Sequence, residues 1–186
     1  MTSSDQDMVR EALANAEAFA TIIDTYEGRL RSYIYRLGLT DDPSVDDTLQ
    51  EVFLSAWRNL HGYDPAYRLS TWLYRITRNA VYSYYRRVST RPRMTVLDTD
   101  TLQIADPADT PHEGVLRTEN STEVRAVLAL LKPEYQEVLL LYYLEDIPYD
   151  EIADVLQLPM GTVSTRLRRA KEAFAAHYEM LYSPHA

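Results

Sequence analysis

The chain has 186 residues, a formal net charge of −9 and 46% hydrophobic residues, a composition typical of a globular protein with one or two small domains. The absence of cysteine excludes disulfides and thiolate zinc sites, and the four histidines lie too far apart to form a local metal motif, so we expect no metal and no cofactor. No apolar run approaches the roughly 18 residues that span a membrane, and the first residues lack the pattern of a signal peptide, so we expect a cytoplasmic protein without membrane insertion.

The chain is predicted to be all-α, because five glycines and few proline-containing breaks leave too few turn residues for a β-rich fold. Across residues 8–37 apolar side chains, Leu13 among them, recur every three or four positions. This spacing predicts one or two helices, with a break near Gly28. Gly38, Pro43 and several capping side chains then end the pattern before the next helix.

The next helix is predicted at residues 45–60. Wound at about 100° per residue, it buries one face made of Val45, Leu49, Val52, Phe53, Ala56, Trp57 and Leu60. The opposite face carries Asp47, Gln50, Glu51, Leu54 and Arg58. An apolar leucine among acids and an amide has the composition of a small docking surface. The alternative is a solvated face with one stray leucine, which is common on protein surfaces.

Residues 65–97 contain seven arginines and no acidic residue, together with Trp72 and five tyrosines. Guanidinium groups can hold phosphates and aromatic rings can stack on unpaired bases, so this window predicts a nucleic-acid surface. Ser70 or Thr71 can cap a helix here, whose inward residues are Trp72, Leu73, Ile76, Ala80 and Tyr84 and whose outward residues are Arg75, Arg78, Asn79, Arg86 and Arg87. The alternative is a solvated arginine-rich helix with structural tyrosines.

Residues 88–120 lose all periodicity, gain three prolines and turn acidic, which predicts a flexible linker at 91–120 between domains at 1–90 and 121–186. A long ordered loop is the alternative, although such loops are uncommon within one domain. Each of the three segments carries more acidic than basic side chains.

Two helices are predicted at residues 121–131 and 133–145, the second burying Tyr135, Val138, Leu139 and Tyr142. The stretch IPYDEIADVLQLPMGTVSTRLRRAKEAF then predicts a helix-turn-helix. Its first helix places Ile152, Ala153 and Leu156 inward; its second begins near Gly161 and places Val163, Leu167, Ala170 and Phe174 inward. The outward Ser164, Thr165, Arg168 and Arg169 are suited to the major groove of duplex DNA. The alternative is a helical hairpin that packs against the first domain or a partner protein.

These two predicted domains, in this order, resemble bacterial RNA polymerase sigma factors of the extracytoplasmic-function (ECF) group of the sigma-70 family. FATIIDTYEGRLRSYIYRL, DDTLQEVFLSAWRNL and LSTWLYRITRNAVYSYYRR are similar to sigma region two. LLKPEYQEVLLLYYLEDIPYDEIADVLQLPMGTVSTRLRRAKEAF is similar to sigma region four. The resemblance implies a dissociable initiation subunit without catalysis of its own, which directs promoter recognition and melting.

The resemblance also implies roles for particular residues. The clamp helices of the polymerase largest subunit would dock on Asp47, Gln50, Glu51, Leu54 and Arg58. The melted minus-ten element would contact Trp72, Arg75, Arg78, Asn79, Tyr82, Arg86 and Arg87. The duplex minus-thirty-five element would contact Thr162, Ser164, Thr165, Arg166, Arg168 and Arg169. The polymerase flap and an anti-sigma protein are further implied partners.

Three positions depart from the family pattern: Thr48 replaces a more usual apolar residue, Ser83 stands where many members carry Asp, and Pro148 stands where Ser or Thr usually caps a helix. Two other functions compete with this interpretation. A free-standing helix-turn-helix regulator with an N-terminal sensing or dimerisation domain would bind a symmetric duplex site. A DNA-processing enzyme would need a carboxylate cluster in or near the basic window, which has none.

Overall fold

The structure is a computed structural model that describes residues 3–89 and 120–182, and every regular element in these ranges is helical, as predicted. The eight α-helices of the described ranges are α1 (Ser3–Ala14), α2 (Phe19–Arg36), α3 (Asp42–Asn59), α4 (Leu69–Ser89), α5 (Asn120–Ala129), α6 (Pro133–Leu139), α7 (Tyr149–Leu156) and α8 (Met160–Tyr182). The chain divides into two compact units, residues 1–95 and 96–186. Except for its last residue, the predicted linker at 91–120 lies outside the described residues.

The core of the first unit lies between α2, α3 and α4, and α1 packs against α2. Ile22, Leu30, Ile34, Val45, Val52, Leu69 and Leu73 are completely buried. The fully buried rings of Tyr33 on α2 and Tyr74 on α4 meet edge to face, with their centroids 5.0 Å apart. Apolar residues on one stripe of each helix therefore hold α3 and α4 side by side.

The helix break in the first 37 residues lies at Asn15, so the predicted break near Gly28 is wrong. The Asn15 side chain accepts a hydrogen bond from the backbone N–H of Glu17 at 3.1 Å and caps a 3₁₀ turn, Ala16–Ala18. Gly28 lies in the middle of α2, which accommodates it as an exposed position. Leu13, one of the apolar residues of the predicted pattern, is 42% exposed.

The buried face of α3 differs from the predicted one at two residues. Trp57 was predicted to be buried but is 37% exposed, and its indole contacts the Phe19 ring edge to face at 5.1 Å. Thr48 takes a core position instead and is 1% exposed. Its hydroxyl has no hydrogen-bond partner, which is an unfavourable environment for a buried polar atom.

Helix α4 begins at Leu69, so Ser70 and Thr71 lie in its first turn rather than at the predicted cap position. The Leu69 N–H instead donates to the carboxylate of Asp5, on α1, at 3.4 Å. The Tyr26 hydroxyl donates to the same carboxylate at 3.3 Å. Burial, followed by the charge of Asp5, raises the pKa of Tyr26, so the hydroxyl remains a donor. A negative charge at a helix N-terminus is favourable, and here it comes from another helix.

The second unit is built around α8, which packs against α5, α6 and α7. The predicted inward residues Val163, Leu167 and Ala170 are at most 1% exposed, whereas Phe174 is only half-buried. Between α7 and α8, Gln157 adopts a left-handed conformation at φ 54° and the next N–H, of Leu158, returns to the carbonyl of Ala153 at 3.0 Å. The predicted helix-turn-helix is therefore present.

The segment predicted as one helix at 133–145 is an α-helix at first and a π-helix in its last turn. Helix α6 stops at Leu139 and continues as a single π turn, Leu140–Leu144. Tyr135 and Tyr142, predicted to be buried, are only half-buried, and Gln136 and Glu137 are buried instead. The Gln136 amide is satisfied there, because it donates to the carbonyl of Leu131 at 2.8 Å.

Candidate functional site

One face of α3 brings together all five residues predicted to form a docking surface. Asp47, Gln50, Leu54 and Arg58 are exposed, and Glu51 is half-buried. With Ser55 and Asn59 they line one shallow depression of about 420 Å³. Leu54 is 46% exposed at this depression, so an apolar contact is available inside a ring of polar side chains. We refer to these five predicted residues as the α3 face.

Helix α4 carries most of the predicted strand-binding residues on one side. At about 100° per residue, the side chains that fall within one sector are Arg75, Arg78, Asn79, Tyr82 and Arg86, which we refer to as the α4 face. Asn79 is exposed, and the Arg78 guanidinium lies 4.6 Å from the centroid of the Tyr82 ring. Arg86 donates to the Ser83 hydroxyl at 2.9 Å. This face combines cations, an amide and one accessible ring, which suits a flexible strand.

Most of the other aromatic side chains of the basic window are buried or hydrogen-bonded to neighbouring elements. Trp72 is 9% exposed and packs edgewise on Tyr63, and Tyr74 is completely buried. The Tyr84 hydroxyl shares a hydrogen bond with Ser44 at 2.8 Å, and the Tyr85 hydroxyl donates to the carbonyl of Leu37 at 3.3 Å. Burial raises the pKa of Tyr85 to about 12, so it stays neutral. These four side chains fasten α4 to its neighbours, and base contact by Trp72 stays a prediction.

Arg87 lies about 100° beyond Arg86 around α4 and reaches α3 instead of joining the α4 face. Its two terminal nitrogens donate to the two carboxylate oxygens of Glu51, at 3.3 Å and 2.9 Å. The hydrogen bonds and charge of Glu51 raise the pKa of Arg87. A residue predicted to bind DNA thus pairs with a residue predicted to bind protein.

The six residues predicted to read duplex DNA lie along two depressions beside α8. Ser164 and Arg168 line one of them together with Tyr149 of α7. The other depression contains Thr162, Thr165, Arg166 and Arg169, with Glu134 and Tyr135 of α6 beside them. The predicted set therefore wraps around the exposed front of α8 rather than forming one line.

Some of these side chains have internal partners. The Thr165 hydroxyl donates to the carbonyl of Gly161 at 2.8 Å, and Arg168 donates to Glu172 at 2.6 Å. Arg166 lies 4.0 Å from the Glu134 carboxylate, and its side chain is 22% exposed. Ser164 and Arg169 are exposed. Arg169 therefore has the accessibility that bidentate contact with a base requires.

Lys171 of α8 lies over aromatic rings of its own unit. Its ammonium nitrogen is 5.1 Å from the ring centroid of Tyr142 and 5.4 Å from that of Tyr143. A hydrogen bond with Tyr143 raises the pKa of Lys171. The π turn supplies both rings, so Lys171 links α8 to that turn. Adjacent tyrosines in the sequence gave no indication of this contact.

A third concave surface of this unit is apolar. Its volume is about 430 Å³, and α5, α6, the π turn and α8 contribute residues to it. Leu128 and Leu139 form its floor, and Tyr143 and Leu144 are 59% and 40% exposed at its rim. Exposed apolar surface of this kind is typical of a docking groove. The groove could not be predicted from the sequence, because its residues are spread over four elements.

Two further observations concern only the residues that the structure describes. Within these ranges no helix combines the length and the apolar character needed to cross a membrane. The same residues contain no group of three or more His, Asp or Glu side chains arranged to hold a metal ion.

Two family models match the chain, and each falls on one of the two units. Sigma-70 region 2 matches residues 22–91. Sigma-70, region 4 matches residues 121–174. The first match contains most of α2 and all of α3 and α4, and the second contains most of α8, so both cover the predicted functional residues.

Similar proteins span nearly the same length. The ECF RNA polymerase sigma factor SigW of Bacillus subtilis is 31% identical over 163 residues, which are 84% of this chain and 87% of SigW. The RNA polymerase sigma-H factor of Pseudomonas aeruginosa is 30% identical, with 91% of each chain covered. CnrH, solved with the cytosolic domain of CnrY, has a similar fold at 23% identity, with a TM-score of 0.67 over 96% of this chain and 99% of CnrH. RpoE of Bartonella quintana, solved with the anti-sigma factor NepR, has the same TM-score at 21% identity over 88% and 98%.

Proposed function

The chain belongs to the ECF group of the sigma-70 family and is therefore an alternative sigma factor. On this basis we propose which of its surfaces performs each step of transcription initiation. Such factors give the polymerase its promoter choice and are not enzymes. We assign docking on core polymerase to the α3 face, capture of the melted minus-ten strand to the α4 face and recognition of the minus-thirty-five duplex to α8. These contacts with polymerase and promoter DNA form inside the cell, where the polymerase acts.

The observation that carries this proposal is the gathering of all five predicted docking residues around one depression on α3. A half-exposed leucine surrounded by two acids, an amide and an arginine fits a protein partner with an apolar contact and charged edges. Neither rival function gives this surface a role. Its position on the helix beside α4 also keeps docking and strand capture within one rigid unit.

The α4 face supports strand capture by its composition. Arg75, Arg78 and Arg86 can hold phosphates, and the exposed Asn79 can pair with a base edge. Tyr82, which lies beneath the Arg78 guanidinium, offers an aromatic face. Contacts to phosphate carry no sequence information, so Asn79 is the residue to which we assign base choice.

The apolar groove of the second unit is the surface that we assign to the polymerase flap. Tyr143 and Leu144 at its rim and Leu128 and Leu139 on its floor offer apolar contacts on several sides, as a docked helix requires. Helix α8 contributes Lys171 and Phe174 to the groove, but neither Ser164 nor Arg169 lines it. Flap binding would therefore leave Ser164 and Arg169 accessible to duplex DNA.

We also propose that an anti-sigma protein holds this factor inactive. The support is indirect: RpoE of Bartonella quintana, which shares this fold, was solved in complex with the anti-sigma factor NepR. Co-purification from uninduced cells checks this part of the proposal. Recovery of the chain free and abundant, without a stoichiometric partner, would contradict it.

The decisive experiment is promoter opening by purified core polymerase with and without the chain, monitored by permanganate footprinting. We expect opening only when both are present. The double variant Leu54→Arg/Gln50→Ala should lose core binding and opening while remaining folded, because both side chains are exposed. Leu13→Arg is the matched control, since Leu13 is a similarly exposed leucine on α1.

A DNA titration distinguishes this function from a free-standing regulator. The chain carries nine excess negative charges, whose field opposes DNA when the chain is alone. We therefore expect weak promoter binding by the chain alone and strong binding after core is added at the same salt concentration. Tight, sequence-specific binding to a symmetric duplex by the chain alone would favour the regulator.

A further inference from the structure

The ion pair between Glu51 and Arg87 joins two surfaces to which we assigned different partners. Glu51 lines the depression on α3, and Arg87 belongs to the basic window. The guanidinium donates to both carboxylate oxygens, at 2.9 Å and 3.3 Å, in the two-pronged geometry that makes Arg–carboxylate pairs specific. The same two donors are those that Arg would offer to a phosphate.

Both side chains remain within reach of solvent, because Arg87 is 59% exposed and Glu51 is 44% exposed. The pair is therefore reversible, and a partner can reach either member. Arg87 lies about 100° around α4 from Arg86. Its pairing with Glu51 holds the guanidinium toward α3 rather than toward the α4 face. When Glu51 engages another group, the long Arg side chain can turn back toward that face.

We infer that Glu51 is a positioning residue for Arg87: it withholds the guanidinium from single-stranded DNA until docking on polymerase engages the Glu51 carboxylate. This inference rests on the proposed docking role of the α3 face. It assigns Glu51 an effect on DNA binding although it touches no DNA. Docking then adds one phosphate contact to strand capture, and by reciprocity strand capture by Arg87 favours docking.

The expected change in affinity for single-stranded DNA follows from the exposure of the Glu51–Arg87 pair. Exposed ion pairs are typically worth a few tenths to one kcal/mol, so releasing Arg87 should tighten strand binding about two- to fivefold. A further signature is the salt dependence, because each phosphate neutralised on a single strand adds about −0.7 to the log–log slope. A residue that merely supported the fold would leave this slope unchanged.

The test measures the affinity of the full chain for a labelled single-stranded oligodeoxynucleotide over a series of salt concentrations. The proteins compared are the wild type, Glu51→Gln, Arg87→Gln and the double variant. We expect Glu51→Gln to bind about two- to fivefold more tightly with a steeper salt slope. In the Arg87→Gln background the same change should bring no such gain.

Asp47→Asn is the charge control, since Asp47 is an exposed acid about one turn from Glu51 on the same helix. It changes the net charge by the same amount as Glu51→Gln. Equal gains from the two variants would overturn the inference, because they would reflect net charge alone. A Glu51→Gln gain that persists without Arg87, or no gain at all, would also overturn it.

A second arm measures the affinity of each variant for core polymerase and separates this inference from the proposed function. Arg87→Gln leaves Glu51 without this partner and should tighten core binding by a similar two- to fivefold factor. If the wild-type chain fails to bind core, the proposed docking fails whatever the free chain does with DNA. If it binds core but Arg87→Gln leaves that affinity unchanged, the coupling alone fails.

Discussion

Helices α4 and α8 both present arginines, but their surroundings differ. On α4 the guanidinium of Arg78 lies over the Tyr82 ring and that of Arg87 pairs with Glu51 of another helix. On α8 the side chain of Arg169 is exposed, and Arg168 pairs only with Glu172 one turn further along its own helix. A guanidinium that lies against a ring, as that of Arg78 does, has fewer conformations to lose on binding, whereas an exposed arginine such as Arg169 must be ordered by its ligand.

This difference matches the DNA that each helix is proposed to bind. A melted strand adapts to the protein, so a cation of the α4 face that is held in place, such as Arg78, can act as a fixed point for its phosphates. The edges of stacked base pairs are rigid, so the side chains of α8 must adapt to them. Many tyrosines in a basic window do not by themselves form a surface for base stacking. Here Tyr74, Tyr84 and Tyr85 contact neighbouring elements and hold α4 in place.

The largest expected effect comes from removing the core anchor of α8. Leu167 is 1% exposed, so Leu167→Ala should lower the free energy of unfolding by about 2–5 kcal/mol. Leu181→Ala is the control on the same helix, because Leu181 is 46% exposed and its truncation should cost less than about 0.5 kcal/mol. Urea denaturation followed by circular dichroism measures both. Equal effects would mean that α8 is not held as described.

The next largest effect concerns base reading by α8. Arg169→Ala should weaken binding of the cognate duplex by holoenzyme by about 1–3 kcal/mol and relax preference at one base pair. Arg168→Ala should cost less, because the wild type must first break the pair with Glu172. Competition titrations with cognate and scrambled duplexes measure this. An equal loss on both duplexes would reduce Arg169 to a phosphate contact.

A smaller effect concerns the buried side of α3. Thr48 is buried with an unsatisfied hydroxyl, so Thr48→Val should raise the free energy of unfolding by about 1 kcal/mol. The exposed α3 face should keep its affinity for core polymerase, because the change lies on the buried side of the helix. Thermal denaturation and a core-binding titration check the two statements. A loss of stability would mean that the methyl group cannot occupy the site of the hydroxyl.

The smallest expected effect separates a structural tyrosine from a stacking one. Tyr85→Phe removes the hydrogen bond to Leu37 and should cost about 0.5 kcal/mol near neutral pH. Burial raises the folded-state pKa of Tyr85 from 10.0 to about 12, so its contribution is complete below pH 10 and is lost as the pH rises toward 12. Denaturation of both proteins across this range should show the difference shrinking. Strand binding by Tyr85→Phe should equal that of the wild type.

Local patterns were sufficient to predict every helix that carries a functional surface. The repeat of Val163, Leu167 and Ala170 identified the buried side of α8, and hence its exposed side. The same logic misassigned Trp57, because a period of 3.6 residues locates the centre of a stripe but not its edge, where a large indole can be half outside. Whether a residue at the edge of an apolar stripe is buried depends on how the neighbouring helices pack against it.

Pairings between residues far apart in the chain could not be predicted from the sequence. Glu51 and Arg87 are 36 positions apart, and their contact depends on how α3 and α4 lie against each other. The π turn was also unpredicted, because its five residues continue the apolar pattern of α6 without a helix-breaking residue. Lys171 reaches the Tyr142 and Tyr143 rings only because that turn presents them.

The carboxylate that Asp5 offers to α4 has a practical consequence for preparing fragments of the first unit. The sigma-70 region 2 match starts at residue 22, so a fragment trimmed to that boundary would lose α1 entirely. It would lose the acceptor for the Leu69 N–H and uncover the surface against which Val9 and Ala12 are buried. A fragment intended for crystallisation or isotope labelling should therefore keep the residues from Ser3 onward.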